Sequence, residues 1–191
     1  GQRVYLFVAS DAKIWNVNGG SIDLNGHTLE IDGDVEIAGD VNLNKGSLKI
    51  TGNVLHSSGT ISFNKGMLEI GGDYRLQRES INSAGEMEYT YSHGTLKMQY
   101  AEDTMSVGKD AYFDSYYSNT LSAGTMKLFG DVNTDINYTG NIRASGTHKT
   151  ELVGSEEQVI EFRSTSSYFN ELDIQNENVM LKHVGFGKLT G

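Results

Sequence analysis

A repeat of about 20 residues constrains the fold of this chain more than any other feature of its sequence. Three related segments lie between Leu24 and Leu76, and they read L-N-G-H-T-L-E-I-D-G-D, L-N-K-G-S-L-K-I-T-G-N and F-N-K-G-M-L-E-I-G-G-D. Each segment contains a leucine followed two residues later by an isoleucine. A fixed period of this size is the signature of a repeat architecture, in which one structural unit stacks on its own copies.

The spacing of apolar residues within each unit indicates how the unit folds. Apolar and polar residues alternate, which is typical of strands with one face inward. Glycine, asparagine, aspartate and lysine separate the alternating runs, so each unit is expected to contain three short strands joined by tight corners. The strands could pair as antiparallel hairpins, or as a coil in which each strand pairs with its own copy one turn later. The coil explains the register better, because equivalent residues then stack on one another.

We therefore predict an all-β fold, a single-stranded right-handed parallel β-helix (β-solenoid) with about eight coils of ~20 residues, two of them enlarged. Its predicted core is a stack of inward pairs, one pair in each coil. These pairs are Leu29/Ile31, Leu48/Ile50, Leu68/Ile70, Met105/Val107 and Met126/Leu128. The pattern continues more loosely at Thr150/Leu152 and Leu172/Ile174.

The whole chain, residues 1–191, is predicted to be one β-solenoid domain, because a single period runs through it. Residues 1–19 are expected to form a partial first coil or cap, with a strand at 4–8 and with Trp15 as a plug over the end of the core. A spacing of 20 residues aligns Trp15 and Val17 with Val35 and Ile37. Residues 145–191 are expected to form looser coils, and the chain is expected to be truncated inside the last of them.

An interruption of the period marks where the chain is enlarged. The interval from Leu68 to Met105 is 37 residues instead of about 20. Residues 77–120 are therefore predicted to be coils with inserted loops. Six tyrosines lie in this stretch, and five of them are candidates for binding, because flat apolar rings with polar tips suit sugars or a protein partner. The predicted ligand-binding residues are Tyr89, Tyr91, Tyr112, Tyr116 and Tyr117.

Composition excludes several classes of protein. Proline is absent, which suits strands that all donate to a ladder, and cysteine is absent, which excludes disulfides and thiolate metal sites. No apolar run reaches the ~20 residues of a membrane-spanning helix, so no membrane insertion is expected. The net charge of −10 argues against nucleic acid as a partner. An acidic exterior suits a partner that is neutral or cationic.

Two columns of polar residues recur at the predicted corners. Asp34, Asp73, Asp110 and Asp131, together with Asn53, occupy one corner in successive coils. Stacked carboxylates are candidate ligands for calcium, but the favoured interpretation is that they accept hydrogen bonds from corner amides. Asn25, Asn44 and Asn64 form a second column, where asparagine tolerates a left-handed backbone.

Longer motifs carry a resemblance to a known class of protein. They include Y-S-H-G-T-L-K-M, M-S-V-G-K-D-A-Y-F-D-S-Y-Y, L-S-A-G-T-M-K-L-F-G-D and A-S-G-T-H-K-T-E-L-V-G-S-E-E-Q-V-I-E-F-R-S-T-S-S-Y-F-N-E-L-D-I. From about Gly20 to Ile174 the chain resembles a β-helical repeat region of very large secreted surface proteins of Gram-positive bacteria. In style it is also similar to the shafts of filamentous haemagglutinin-like adhesins.

The resemblance implies a non-catalytic stalk segment of an extracellular bacterial surface protein, joined to flanking domains and needing no cofactor. The alternative is an adhesive module that binds a polysaccharide or a host-surface protein through the aromatic inserted loops. A polysaccharide lyase or hydrolase is the least favoured interpretation. Its candidate residues would be Glu69, Asp103, Asp110, Asp114 and Lys127, for which no acid/base pair at a defined separation is evident.

Overall fold

The computed structural model of the protein describes residues 5–15, 21–134, 141–163 and 166–191. These residues form 22 strands, numbered along the chain, which coil into a parallel β-solenoid of about eight turns. The predicted all-β solenoid is therefore confirmed, whereas its right-handed sense stays a prediction. Since the described residues contain only strands, turns and loops, they include no apolar helix of membrane-spanning length.

The first face of the solenoid is a sheet of nine parallel strands, one from each coil. In stacking order they are β1 (Tyr5–Val8), β4 (Thr28–Ile31), β7 (Ser47–Ile50), β9 (Met67–Ile70), β13 (Thr104–Val107), β16 (Thr125–Leu128), β18 (Lys149–Leu152), β20 (Tyr168–Ile174) and β22 (Gly185–Thr190). Equivalent residues of the repeat lie opposite each other, so that Leu48 lies between Leu29 and Leu68.

The second and third faces are joined into one larger sheet. The second face contains β2 (Ala12–Trp15), β5 (Val35–Ala38), β10 (Tyr74–Ile81), β14 (Ala111–Phe113), β17 (Val132–Thr134), β19 (Gln158–Phe162) and β21 (Val179–Lys182). The third face contains β3 (Ser21–Asp23), β6 (Asp40–Asn42), β12 (His93–Met98) and β15 (Thr120–Leu121). The long strand β8 (Val54–Ser62) belongs to both, because its first half pairs with β5 and β10 and its second half with β6 and β12.

The core is the column of inward side chains predicted from the repeat. All ten predicted core residues are at most 8% exposed. The looser coils keep the same register, because Thr150 and Leu172 continue the column of Met126. In the last strand, Leu189 lies opposite Leu172 but is 50% exposed, since no described strand stacks on β22.

The first coil departs from the predicted register. The 20-residue spacing aligned Trp15 with Val35, but Ala12 lies opposite Val35 and Ile14 lies opposite Ile37. The offset is therefore 23 residues, because this coil is longer than the next one. Ile14 is the buried residue of β2. Val17 and the side chain of Trp15, with its predicted role as a plug, lie outside the described residues.

Candidate binding site on the enlarged coils

A β-hairpin accounts for most of the interruption in the repeat. Strand β10 continues beyond the body of the solenoid and pairs antiparallel with β11 (Met87–Tyr91), from Gln77 opposite Tyr91 to Ile81 opposite Met87. Asn82 closes the tip, because its side-chain oxygen accepts hydrogen bonds from the amides of residues 84 and 86 at 2.9 and 3.0 Å. The insertion is therefore an ordered projection, and its terminal pair Ile81 and Met87 is more than 60% exposed.

Arg75 fastens this hairpin to the second face of the solenoid. Its guanidinium lies between two tyrosine rings, 4.6 Å from the centre of Tyr89 on the hairpin and 3.7 Å from the centre of Tyr112 on the next coil. It also pairs with Asp73 at 3.5 Å. Burial raises the pKa of Tyr112, so its ring remains a neutral stacking partner at ordinary pH. Stacking of arginine between aromatic rings stabilises the hairpin base.

A second group of rings forms what we call the tyrosine shelf, which consists of Tyr91, His93, Tyr116 and Tyr117. Adjacent rings are in contact, with centres 5.5 Å apart for Tyr91 and His93 and 5.2 Å apart for Tyr116 and Tyr117. Tyr91 and Tyr116, from different coils, are 6.1 Å apart. Tyr116 and Tyr117 are 56% and 51% exposed, so the shelf presents aromatic surface to solvent.

Buried polar residues hold the loop that carries the two exposed tyrosines. The amide of Ser115 donates to the side-chain oxygen of Asn141 at 2.6 Å, and the Ser115 hydroxyl donates to the Gly94 carbonyl at 2.7 Å. Asn119 accepts the Leu96 amide at 2.8 Å and donates to the Asn141 carbonyl at 2.6 Å. Since Ser115 and Asn119 are at most 5% exposed, these bonds are protected from water and fix the loop.

Two clefts lie on either side of the stack formed by Tyr89 and Arg75. The larger, of about 620 Å³, is lined by corner residues, by Leu55 and by Glu79 of the hairpin. The smaller, of about 250 Å³, is lined by Tyr112, Asp114 and residues of the following coils. The larger cleft falls within the ~300–1,000 Å³ range of small-molecule sites.

The five tyrosines predicted from the sequence thus fall into two groups rather than one. Tyr91, Tyr116 and Tyr117 meet on the shelf, whereas Tyr89 and Tyr112 enclose Arg75. Sequence reasoning missed the cationic and imidazole partners in these groups, which are Arg75, Arg78 and His93. Their nearness to the tyrosines in sequence was the available signal, but only the hairpin pairing shows which rings they meet.

The corner column between the first and second faces has a structural role. Each of its side chains accepts a hydrogen bond from the backbone amide of its counterpart in the next coil: Asp11 from Asp34, Asp34 from Asn53, Asn53 from Asp73, Asp73 from Asp110, Asp110 from Asp131, and Asp131 from Val159, at 2.6 to 3.2 Å. The geometry therefore agrees with the favoured interpretation, in which the corner side chains accept hydrogen bonds from backbone amides. Asp11 is a member that the repeat did not predict.

The glycines that precede several of these corner residues follow from the same arrangement. A Cβ atom on Gly130 would lie 2.6 Å from the Oδ1 atom of Asp110, which is the oxygen that accepts the Asp131 amide. A Cβ atom on Gly33 would lie 2.8 Å from Oδ1 of Asp11. Glycine is therefore required because any side chain would displace the acceptor from the preceding coil.

The second polar column is a left-handed corner, as predicted. Asn25, Asn44 and Asn64 have φ angles of 43°, 47° and 47°. In the following coil Asp103, which is fully buried, immediately precedes β13. Asp103 accepts the amide of Lys65 at 2.6 Å and the amides of Gln99 and Tyr100 at 2.6 and 2.9 Å.

Of the other candidate residues for an enzyme, Glu69, Lys127 and Asp110 have partners in neighbouring coils, whereas Asp114 is buried. Glu69 pairs with Lys49 at 3.2 Å, and Lys127 pairs with Glu151 at 3.6 Å, both between outward positions of neighbouring strands on the first face. Asp110 belongs to the corner column, and Asp114 is buried at the wall of the smaller cleft.

Two histidines are buried in the core near the corners. His56 lies between the Tyr74 hydroxyl, 2.9 Å from Nδ1, and the Gly59 carbonyl, 3.0 Å from Nε2. These partners assign the proton to Nε2, which donates to the carbonyl, while Nδ1 accepts from the hydroxyl. Burial lowers the pKa of His56 to about 4 and also lowers the pKa of His148. Both rings are therefore neutral at pH 7.

No group of three or more histidine, aspartate or glutamate side chains within the described ranges is arranged to hold a metal ion. The weak calcium candidates Asp34, Asp73, Asp110 and Asp131 each direct an oxygen to a backbone amide instead.

No protein-family model matches the chain, and no match was found among curated proteins or among solved structures. The class defined by the fold is the parallel β-solenoid.

Proposed function

We propose that this chain is a non-catalytic structural segment of an extracellular bacterial surface protein, a stalk that holds flanking domains away from the cell. The observation that carries the proposal is the continuity of bonding between coils. The corner column extends without a gap from Asp11 to Val159, and every bond in it joins one coil to the next. Such a column resists separation of the coils along the solenoid axis.

Ion pairs across the first face support the same function. Lys149 contacts Glu151 on its own strand at 3.1 Å and Asp173 on the next strand at 2.6 Å, and Lys188 contacts Glu171 at 3.3 Å. Each exposed pair contributes little, on the order of 0–1 kcal/mol. The pairs of Lys149 with Asp173 and of Lys188 with Glu171 nevertheless join neighbouring coils, which supports a structural role for this face.

The test of the stalk proposal is the location of the chain on cells of the bacterium that carries it. Antibodies raised against residues 21–134 are expected to label intact cells, with gold particles set back from the cell surface in electron micrographs. A cytoplasmic protein of the same cells is the control and should be labelled only after permeabilisation. Labelling of the solenoid only after permeabilisation would exclude the proposal.

A second candidate function is adhesion through the tyrosine shelf, and one observation favours it. Two exposed tyrosines are held outward by a loop whose polar anchors, Ser115 and Asn119, are buried and bonded. A surface that is ordered before a ligand arrives binds at a lower entropic cost. Aromatic rings at the surface suit the apolar faces of sugars or a protein partner.

Adhesion is tested by binding of the chain to a glycan and polysaccharide array, with calcium present and with calcium chelated. The variant Tyr116→Ala/Tyr117→Ala is expected to lose the signals of the parent chain. Tyr100→Ala is the matched control, since Tyr100 is 45% exposed but lies outside the shelf. A blank array with folded protein would reject glycan adhesion and leave the stalk as the function.

A further inference from the structure

Cations that lie over tyrosine rings in this protein are usually paired with a carboxylate as well. Lys65 lies 5.5 Å from the centre of Tyr100 and pairs with Glu102 at 3.1 Å. Arg75 lies between its two rings and pairs with Asp73 at 3.5 Å. This pairing is expected in a chain with 25 acidic and 15 basic residues.

Among the described residues whose cations lie over a tyrosine ring, Arg78 is the exception, and it lies beside the tyrosine shelf. Its guanidinium carbon is 5.2 Å from the centre of the Tyr91 ring. Within the described ranges no carboxylate oxygen lies within 4.0 Å of Arg78. Its Nε atom is buried and has no hydrogen-bond partner. A guanidinium presents five N–H donors in a planar fork that matches a carboxylate, and none of the described residues pairs a carboxylate with this fork.

We propose that the tyrosine shelf and Arg78 form a binding site for a glycan whose pyranose rings carry carboxylates. The sugar rings lie on the exposed faces of Tyr116 and Tyr117, and a carboxylate meets the guanidinium of Arg78. This inference rests on the second proposed function, adhesion through the shelf, and specifies its ligand.

The geometry brings the two parts of the site within reach of one oligosaccharide. Arg78 contacts Tyr91 at 5.2 Å, Tyr91 contacts Tyr116 at 6.1 Å, and Tyr116 contacts Tyr117 at 5.2 Å. The contacts form a continuous series from the cation to the most exposed rings. The series crosses two coils, since Arg78 and Tyr91 belong to the hairpin and the other two rings belong to the anchored loop.

The charge of the shelf differs from that of the chain. None of its four residues is acidic, although the net charge of the chain is −10. A cationic ligand is disfavoured at this site, because it would meet Arg78. The whole-chain expectation of a neutral or cationic partner therefore does not extend to the shelf.

The experiment compares carboxylated sugars with their methyl esters, which have the same ring but no charge. The probes are sialyllactose and a glucuronate-containing tetrasaccharide, each as free acid and as ester, titrated into the chain by calorimetry. The free acid of one probe is expected to bind at least ~10-fold tighter than its ester, because a charge-assisted hydrogen bond contributes more than a neutral one. The probe that binds identifies whether the carboxylate belongs to a sialic acid or to a hexuronate.

Variants separate the contribution of the cation from that of the rings. Arg78→Gln is expected to remove the preference for the acid while leaving the affinity for the ester unchanged, and Arg78→Lys to retain part of the preference. Tyr116→Ala/Tyr117→Ala is expected to weaken the binding of both forms at least ~10-fold, because both lose the aromatic faces on which the sugar rings lie. Arg163→Gln and Tyr100→Ala, which alter an arginine and a tyrosine outside the shelf, should change neither affinity.

The outcomes distinguish this inference from the function on which it rests. Equal affinity for acid and ester would overturn the inference and leave adhesion to neutral glycans in place. An acid preference that persists in a folded Arg78→Gln variant would also overturn it, since the carboxylate would then be bound elsewhere. Failure of both acid and ester to bind, on a protein that does bind neutral sugars on the array, would overturn the inference alone. Failure of every sugar would reject glycan adhesion as well.

Discussion

At the scale of single residues, the corner aspartates show how one residue type supports two interpretations until its neighbours are known. Asp34 stands at a position where a stack of carboxylates would suit calcium. The structure instead directs its Oδ1 atom to the Asn53 amide at 2.6 Å. Asn53 plays the same part for Asp73, so the position requires an oxygen acceptor and no charge.

The first prediction follows from this equivalence. Asp34→Ala should lower the free energy of unfolding by about 1–3 kcal/mol, because the Asn53 amide loses its partner. Asp34→Asn should lower it by less than about 1 kcal/mol, since the amide oxygen still accepts the bond. Urea unfolding monitored by circular dichroism measures both. Equal losses in the two variants would show that the charge itself is required.

The second prediction concerns the buried histidine. Because the folded-state pKa of His56 is about 4 and the unfolded value is 6.5, the unfolded chain binds more protons between these pH values. Stability is therefore complete above pH 6.5 and falls as the pH decreases toward 4. Between pH 7.5 and pH 5 the loss from this residue should be about 2 kcal/mol.

Replacement with a side chain that does not titrate tests this pH dependence. His56→Gln keeps one donor and one acceptor, and it should lose less stability than the parent chain when urea unfolding is compared at the two pH values. His93→Gln is the control, because His93 is exposed on the shelf. A variant and a parent chain with the same pH dependence would contradict the prediction.

At the scale of elements, the repeat predicted where the solenoid is enlarged but not what the enlargement is. A gap of 37 residues between Leu68 and Met105 places an insertion after Leu76. The sequence of residues 77–93 does not distinguish a hairpin from an irregular loop. The strands of a projecting hairpin bury no face in the core, so they lack the apolar alternation that marks the other strands. The partners of Arg75 and Arg78 were also unpredictable, since each cation meets a ring that the antiparallel pairing brings near. The register predicted for the first coil was wrong, because the offset between β2 and β5 is 23 residues, three more than the 20-residue spacing assumed.

The third prediction tests how Arg75 fastens the hairpin. Arg75→Met removes the stack between Tyr89 and Tyr112 and the pair with Asp73. Hydrogen exchange of the amides in β11 should become at least ~10-fold faster, which corresponds to a loss of ~1.4 kcal/mol in local stability. Amides of the core strand β9 should keep their protection. Equal acceleration in both strands would indicate global destabilisation instead of release of the hairpin.

At the scale of the whole molecule, the inward columns were the most predictable feature. Leu29, Leu48 and Leu68 are separated by one period in the sequence and lie opposite one another in the structure. The physical reason is that strands of period two stacked in register place every second side chain inside. The charge ladders outside the same strands were less evident, because exposed positions accept many residue types.

The fourth prediction concerns this core. Leu48→Asp places a charge at a position that is 0% exposed, between two leucines of neighbouring coils. It should lower the free energy of unfolding by more than about 4 kcal/mol or prevent folding. Lys49→Gln, at the adjacent outward position, should change it by less than about 1 kcal/mol. Circular dichroism and urea unfolding compare the two, and a cooperatively folded Leu48→Asp protein of parental stability would contradict the prediction.

The corner column also gives the solenoid a chemical direction. From Asp11 to Asp131, each of six coils presents a side-chain oxygen toward the C-terminal side, and the following coil supplies the amide that donates to it. A chain that folds as it is synthesised, from the N-terminus, therefore finds a finished row of acceptors at each step. Along this column, each folded coil therefore positions the amide of the next coil, and so helps to set the register of the strand that follows.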